Sequence, residues 1–240
     1  MAEAARRIDE WSGADAPALN AHYGALTAKE LLALVLRSGA FGRVALVSSF
    51  GAESAVLLHM VAAIDRQLPV LFVETGKHFP ETLIYAGRLM GHLGMTGLTL
   101  VKPDPQALRV KDETGLRWSY DPDGCCDLRK TQPLQRAIPG FTTWLSGRKR
   151  GQAATRADMP LFENDEGRIK LNPLARWTGE RLALYAREHG LPPHPLVAEG
   201  YPSIGCAPCT SKVAPGEDPR AGRWRGWDKV ECGIHELPAF

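Results

Sequence analysis

The sequence predicts an α/β protein built on a doubly wound parallel sheet, and three features predict it. Short apolar runs recur along the chain: Val44-Ala45-Leu46-Val47, Val70-Leu71-Phe72-Val73 and Leu98-Thr99-Leu100-Val101. They are apolar throughout rather than alternating, the pattern of strands buried on both faces. Stretches of helical periodicity separate them, so strand and helix alternate as they do when a parallel sheet is covered by crossover helices. In such a sheet ligands are expected at the carboxyl ends of the strands.

Residues 1–38 read as short amphipathic helices forming an N-terminal helical appendage. The best of them is Ala28 to Arg37, with Thr27 as its cap and Leu31, Leu32, Val35 and Leu36 as its apolar face. The three apolar runs supply the first strands, and helices are expected over Glu53 to Arg66, Pro80 to Leu93 and Pro105 to Glu113. Further strands are expected at Phe141 to Leu145 and Arg168 to Leu171, and a helix over Glu180 to His189 behind a Thr178 cap. From Gly190 onward Pro192, Pro193, Pro195, Pro202, Pro208, Pro215 and Pro219 interrupt any regular element. An irregular segment that needs a cofactor to order it is expected there. The α/β domain is accordingly set at 39–210, with a mobile C-terminal segment at 211–240.

Composition narrows the function classes. The chain has 240 residues, 44% hydrophobic and 23% charged, which suits one globular domain with a tail. A formal net charge of +2 gives no global case for nucleic acid or an anionic membrane, so any anion site must be local. Met1 to Glu10 lacks the apolar core of a signal peptide, and no apolar run approaches the roughly 20 residues that span a bilayer. A cytoplasmic protein is therefore expected. In that reducing compartment five cysteines, an odd number, point to metal binding or thiol chemistry rather than to disulfides.

The first strand runs into Ser48-Ser49-Phe50-Gly51-Ala52-Glu53-Ser54 and then directly into an apolar helix. A small glycine-containing turn at a helix N-terminus offers free N–H groups and the positive end of the dipole, which suits phosphate or sulfate. Ser48, Ser49, Gly51 and Ser54 are the candidate contacts, with a plain helix cap by Ser49 or Ser54 as the alternative. The turn lacks the lysine of a G-x-x-x-x-G-K-S/T loop. It resembles the S-G-G-x-D-S loop of the adenine nucleotide α-hydrolase-like group, with Phe50 in place of the first glycine and Glu53 in place of the aspartate. After strand two, Glu74-Thr75-Gly76-Lys77-His78-Phe79-Pro80-Glu81-Thr82 resembles the D-T-G-x-x-F-P-E-T stretch of phosphosulfate reductases. Thr75 and Gly76 there are candidates for an adenine or ribose contact.

The cysteines divide four and one. Adjacent Cys125 and Cys126 and the pair Cys206-x-x-Cys209 are soft donors suited to zinc or an iron–sulfur centre, and vicinal cysteines favour a cluster. A structural zinc site, or two packed cysteines beside an unrelated C-x-x-C, remain alternatives. Cys232 stands apart in Glu231-Cys232-Gly233-Ile234-His235. A nucleophilic thiol needs cationic neighbours that favour its thiolate, and Arg220, Arg223, Arg225, Lys229 and His235 are near in sequence. An inert surface thiol is the alternative.

Taken with the two loops, the C-C…C-x-x-C arrangement and the E-C-G-I-H stretch resemble the bacterial assimilatory adenosine 5′-phosphosulfate (APS) reductases of the PAPS/APS reductase family, through nearly the whole chain after residue 40. The resemblance implies that Cys125, Cys126, Cys206 and Cys209 hold one 4Fe–4S cluster, and that Lys130 in C-C-x-x-R-K lies between the cluster sulfurs and the substrate anion. Trp144 to Arg150 resembles the family's W-x-S/T-G-x-R-R/K stretch, giving Gly147 and Arg148 as substrate contacts with Arg156 shortly after. Lys149 and Arg150 read equally as a solvated face. Arg220-Ala221-Gly222-Arg223-Trp224 resembles an R-x-G-R-W stretch that closes over the phosphosulfate, so Arg220 and Arg223 join the set. The implied activity is reduction of APS to sulfite and AMP through an S-sulfocysteine on Cys232, with His235 beside it and thioredoxin or glutaredoxin as reductant. A homo-oligomer is expected. The rivals are a PAPS reductase, an ATP-dependent thiolation enzyme with a metal site, and a metal-bound interaction module.

Overall fold

The computed structural model describes residues 11–234, so His235 lies outside the described residues. Six strands form one sheet: β1 (Val44–Val47), β2 (Val70–Val73), β3 (Leu98–Val101), β4 (Thr143–Ser146), β5 (Phe162–Asp165) and β6 (Arg168–Leu171). Their order is β3-β2-β1-β4-β6-β5. Every pair is parallel except β5 with β6, and Leu46 of β1 lies opposite Val70 on one side and Leu145 on the other. The predicted doubly wound sheet is therefore present. The chain winds outward from β1 in both directions, which opens a crevice between the ends of β1 and β4.

Helices cover both faces. They are α1 (Ala16–Tyr23), α2 (Ala28–Arg37), α3 (Ser54–Ala62), α4 (Pro80–Leu93), α5 (Pro105–Lys111), α6 (Pro122–Cys126), α7 (Gln132–Ala137) and α8 (Gly179–Glu188). The period-2 geometry of the strands sorts their side chains: Leu46, Val70, Phe72 and Leu145 join one core, while Ala45, Leu71, Val73 and Trp144 join the other. Thr27 caps α2 as predicted, within a capping box in which its N–H donates to the Glu30 carboxylate at 2.8 Å. Leu31 and Leu32 of α2 lie in the same core as Leu46, and Asn20 of α1 bonds the backbone of Phe162 through both its amide nitrogen (2.7 Å) and its oxygen (3.1 Å).

Two features depart from expectation. Strand β3 ends the sheet, and an edge strand has a neighbour on one side only; Thr99 and Leu100 are exposed, so continuous burial fails there. Strand β5 is additional. Its sequence Phe-Glu-Asn-Asp has no apolar run because its carboxylates serve residues on and just after β4: Asp165 accepts from the Trp144 indole at 2.8 Å, and Glu163 pairs with Arg148. Smaller shifts follow helix ends: α3 stops at Ala62 rather than Arg66, and α5 at Lys111. Beyond Gly190 the described residues form only short turns, held by bridges pairing His78 with Cys206 and Thr210 with Arg223.

Candidate active site

A cavity of about 780 Å³ opens at the carboxyl ends of β1 and β4. Its wall includes Ser48, Ser49, Gly51, Ser54, Gly147, Arg148, Arg156, Arg220 and Arg223 together with Lys130 and Cys232. Eleven sequence candidates from five distant segments thus share one space. Thr75 and Gly76 do not line it. Thr75 is fully buried with its hydroxyl 3.3 Å from Cys206 Sγ, and the Gly76 N–H donates to the Glu74 carboxylate at 2.6 Å.

The serine loop is shaped by its odd residue. The Phe50 N–H donates to the Ser48 hydroxyl at 3.2 Å, and Phe50 adopts a left-handed backbone with φ of 48°. That region suits glycine and costs a bulky side chain energy. Phe50 is completely buried with its ring edge-on to Phe72 at 5.0 Å, and this packing offsets the strain. Gly51 follows where a Cβ would come within 3.2 Å of the Ile204 carbonyl oxygen, so the loop backbone lies close against the C-terminal segment. Glu53 pairs with the Lys149 ammonium and accepts from Gln152 at 3.4 Å. Lys149 is buried rather than solvated, and burial lowers its pKa against the pull of Glu53. Sequence reasoning passed over Lys149 because a basic run usually marks a solvated face.

Most of the arginines are already engaged. Arg148 pairs with Glu163 and reaches Asn172 at 3.4 Å. Arg156 grips Glu231 with two parallel bonds, Nε to Oε1 at 2.6 Å and Nη2 to Oε2 at 2.5 Å, while its Nη1 donates to Gln152 at 2.6 Å. Arg220 donates to the Val230 carbonyl at 2.8 Å and stands 3.7 Å from Glu231. Arg223 lies over the Trp224 ring at 4.4 Å, and its buried Nε has no hydrogen-bond partner. His78, also missed, lines the cavity; its Nε2 donates to the Val73 carbonyl at 3.1 Å, leaving a buried Nδ1 without a partner.

Beside this cavity the four paired cysteines line a second, smaller one with Trp118, Arg129, Lys130 and Trp224. Asp121 starts α6 by accepting from the Gly124 N–H at 2.8 Å, which sets Cys125 and Cys126 on one short helix. The chain then widens into a π turn, Asp127–Thr131. Such turns re-aim side chains, and this one carries Arg129 and Lys130. Arg129 is held by Asp112 at 2.6 and 2.8 Å and by the Thr75 carbonyl at 2.8 Å. Opposite, Ala207 N–H donates to the Lys77 carbonyl at 2.7 Å, and Cys209 N–H to Cys206 O at 3.0 Å. Burial pushes the thiols of Cys125, Cys126 and Cys209 up to about 11. All five cysteines are free. Among the described residues no three His, Cys, Asp or Glu side chains converge on a single metal ion. Burial opposes the Lys130 ammonium, yet the pull of the sulfurs of Cys206, Cys232 and Cys126 outweighs it and holds its pKa above the ordinary lysine range.

Residues 43–212 match the family model for the phosphoadenosine phosphosulfate reductase domain. The chain belongs to that family. The matched stretch takes in both loops and all four paired cysteines of this phosphosulfate reductase family member, and stops before Arg220 and Cys232. Across 95% of the chain and 89% of the relative, it is 51% identical to the adenosine 5′-phosphosulfate reductase of Mesorhizobium japonicum. The crystal structure of a phosphoadenylyl-sulfate reductase from Candida auris, in a phosphate complex, superposes with a TM-score of 0.69 at 27% identity, covering 85% of this chain and 98% of that one. A yeast FAD synthetase shares the fold alone, with a TM-score of 0.54 at 14% identity over 84% of this chain and 77% of that one. Both results agree with an adenine nucleotide α-hydrolase-like sheet. Among the described residues no helix is long and apolar enough to cross a membrane.

Proposed function

We propose that the chain reduces APS to sulfite and AMP. The observation that carries this reading is the meeting of Cys232, Lys130 and the serine loop around one cavity. The loop N–H groups and cations of the wall bind the phosphosulfate, and Arg223 brings an unsatisfied donor. The Cys232 thiolate attacks the sulfate sulfur; the bond from sulfur to the bridging oxygen breaks, and AMP departs with that electron pair. Lys130 and the arginines stabilise the charge that develops on the leaving phosphate. The product is an S-sulfocysteine. A thiolate of thioredoxin or glutaredoxin then attacks Cys232 Sγ and expels sulfite with the S–S electron pair, and the second thiol releases Cys232 as the reductant becomes a disulfide.

Cys125, Cys126, Cys206 and Cys209 would hold a 4Fe–4S cluster. The donor set fits: four soft thiols around one small cavity, with Arg129 and Lys130 at its rim to balance an anionic centre. Bound there, the cluster would supply an electrostatic field beside the substrate anion and tie the C-terminal segment to α6. A homo-oligomer working in the reducing cytoplasm completes the proposal.

The test is a single turnover of anaerobically purified protein with APS, followed by intact-mass measurement. Cys232 should gain the mass of one SO₃ group. Cys232→Ser should lose sulfite formation entirely while iron and sulfide content stay at wild-type levels; sulfite release from that variant would sink the reading. Competition between APS and PAPS in the same assay measures which nucleotide the site prefers.

A further inference from the structure

Arg156 was expected to hold substrate, but its guanidinium is spent on the residue next to the nucleophile. The Glu231 and Arg156 side chains retain only 11% and 9% exposure and meet through two parallel hydrogen bonds. Arg220 fastens the adjoining Val230 carbonyl, so both residues preceding Cys232 are pinned. On the other side Ile234 packs against the core that contains Trp144 and Val73. Cys232 is therefore strung between two anchors, above a cavity that still has room for a nucleotide.

We propose that Glu231, through Arg156, is a positioning residue that fixes Cys232 for attack on the substrate and must let go before the reductant can act. The inference rests on the proposed reaction above. The first half-reaction needs the thiol inside a closed cavity, aimed at sulfur. The second needs the same atom presented to a protein dithiol, which does not fit inside. A bidentate carboxylate–guanidinium pair one residue from the thiol is suited to hold the first arrangement. The adduct itself supplies a reason for release, because S-sulfonation puts a new anion beside Glu231, within the reach of Arg156 and Arg220, where it competes for the same donors.

The two half-reactions are measured separately in wild type and Glu231→Gln, with iron content as the control for folding. Adduct formation on Cys232 in a single turnover should slow by about tenfold or more. Sulfite release from preformed adduct by thioredoxin should be unchanged or faster. The exchanged pair Glu231→Arg with Arg156→Glu should recover part of the lost rate. Equal adduct formation in wild type and Glu231→Gln, or an equal fall in both half-reactions, would overturn the proposal. A substrate-free measurement separates it from the reaction it rests on: mapped alkylation of Cys232 by iodoacetamide should be several-fold faster in Glu231→Gln. If wild type forms no adduct from APS, the assigned reaction fails, and the alkylation rates alone decide whether the pair holds the tail. Equal rates would refute it.

Discussion

At the scale of single residues, hydrogen-bond direction explains more than charge. His194 is almost wholly buried; its Nδ1 accepts from the Leu196 N–H at 3.2 Å, which leaves Nε2 to donate to the Thr82 hydroxyl at 3.0 Å. A second proton at Nδ1 would face an N–H donor. Burial depresses its pKa to about 4, with only a small opposing pull from Glu81. The folded state thus refuses a proton that the unfolded chain accepts below about 6.5. Stability from this site is complete above that pH and falls as pH drops towards 4, by on the order of 2–3 kcal/mol. Denaturant titrations between those limits should show that slope, and His194→Asn should flatten it. An unchanged slope in the variant would show that other groups carry the acid sensitivity. Phe50 teaches a related lesson: a bulky residue occupies a left-handed position because its ring is worth more in the core than its backbone costs.

Among the elements, the π turn after Cys126 is the piece that depends most on a buried ion pair. Asp112 has no exposed side-chain surface and is the carboxylate partner of Arg129, which in turn carries the turn to the Thr75 carbonyl. Asp112→Asn strips the charge from one side and leaves a buried cation, a loss on the order of 3–5 kcal/mol. Thermal unfolding should shift accordingly, and occupancy of the proposed cluster should fall with it; a variant that matches wild type in stability and in iron content would contradict this account. The elements also show what a sequence conveys. Central strands β1 and β2 and the capped helix α2 were legible because burial and capping leave local marks. Strand β5 was not, since Glu163 and Asp165 are there to serve Arg148 and Trp144, partners that only folding brings near. The serine loop, the cysteines and the arginines could be picked out by residue type. Which carboxylate each arginine would meet could not, because Glu231 and Arg156 are far apart along the chain.

For the whole molecule, the segment after Gly190 is built more against two cavities than against the sheet. Its described part has no long helix or strand, and its anchors are Cys206 and Cys209, the His78 bridge and the Arg156 pair. Removing a bound cluster by anaerobic chelation should therefore loosen this region first. Amide exchange at Ala207, Cys209 and Thr210 should accelerate sharply while β1 and β4 keep their protection; uniform loss across the sheet would show that the two parts unfold together. The fastenings of the tail also differ in their access to solvent. Lys229 pairs with an Asp123 whose side chain is 80% exposed, whereas Glu231 and Arg156 are nearly covered. Dissolved salt screens the first contact and scarcely reaches the second. Rising ionic strength should thus unfasten the tail in a fixed sequence, from Lys229 inward, and leave Cys232 seated in conditions that have already freed the segment leading to it.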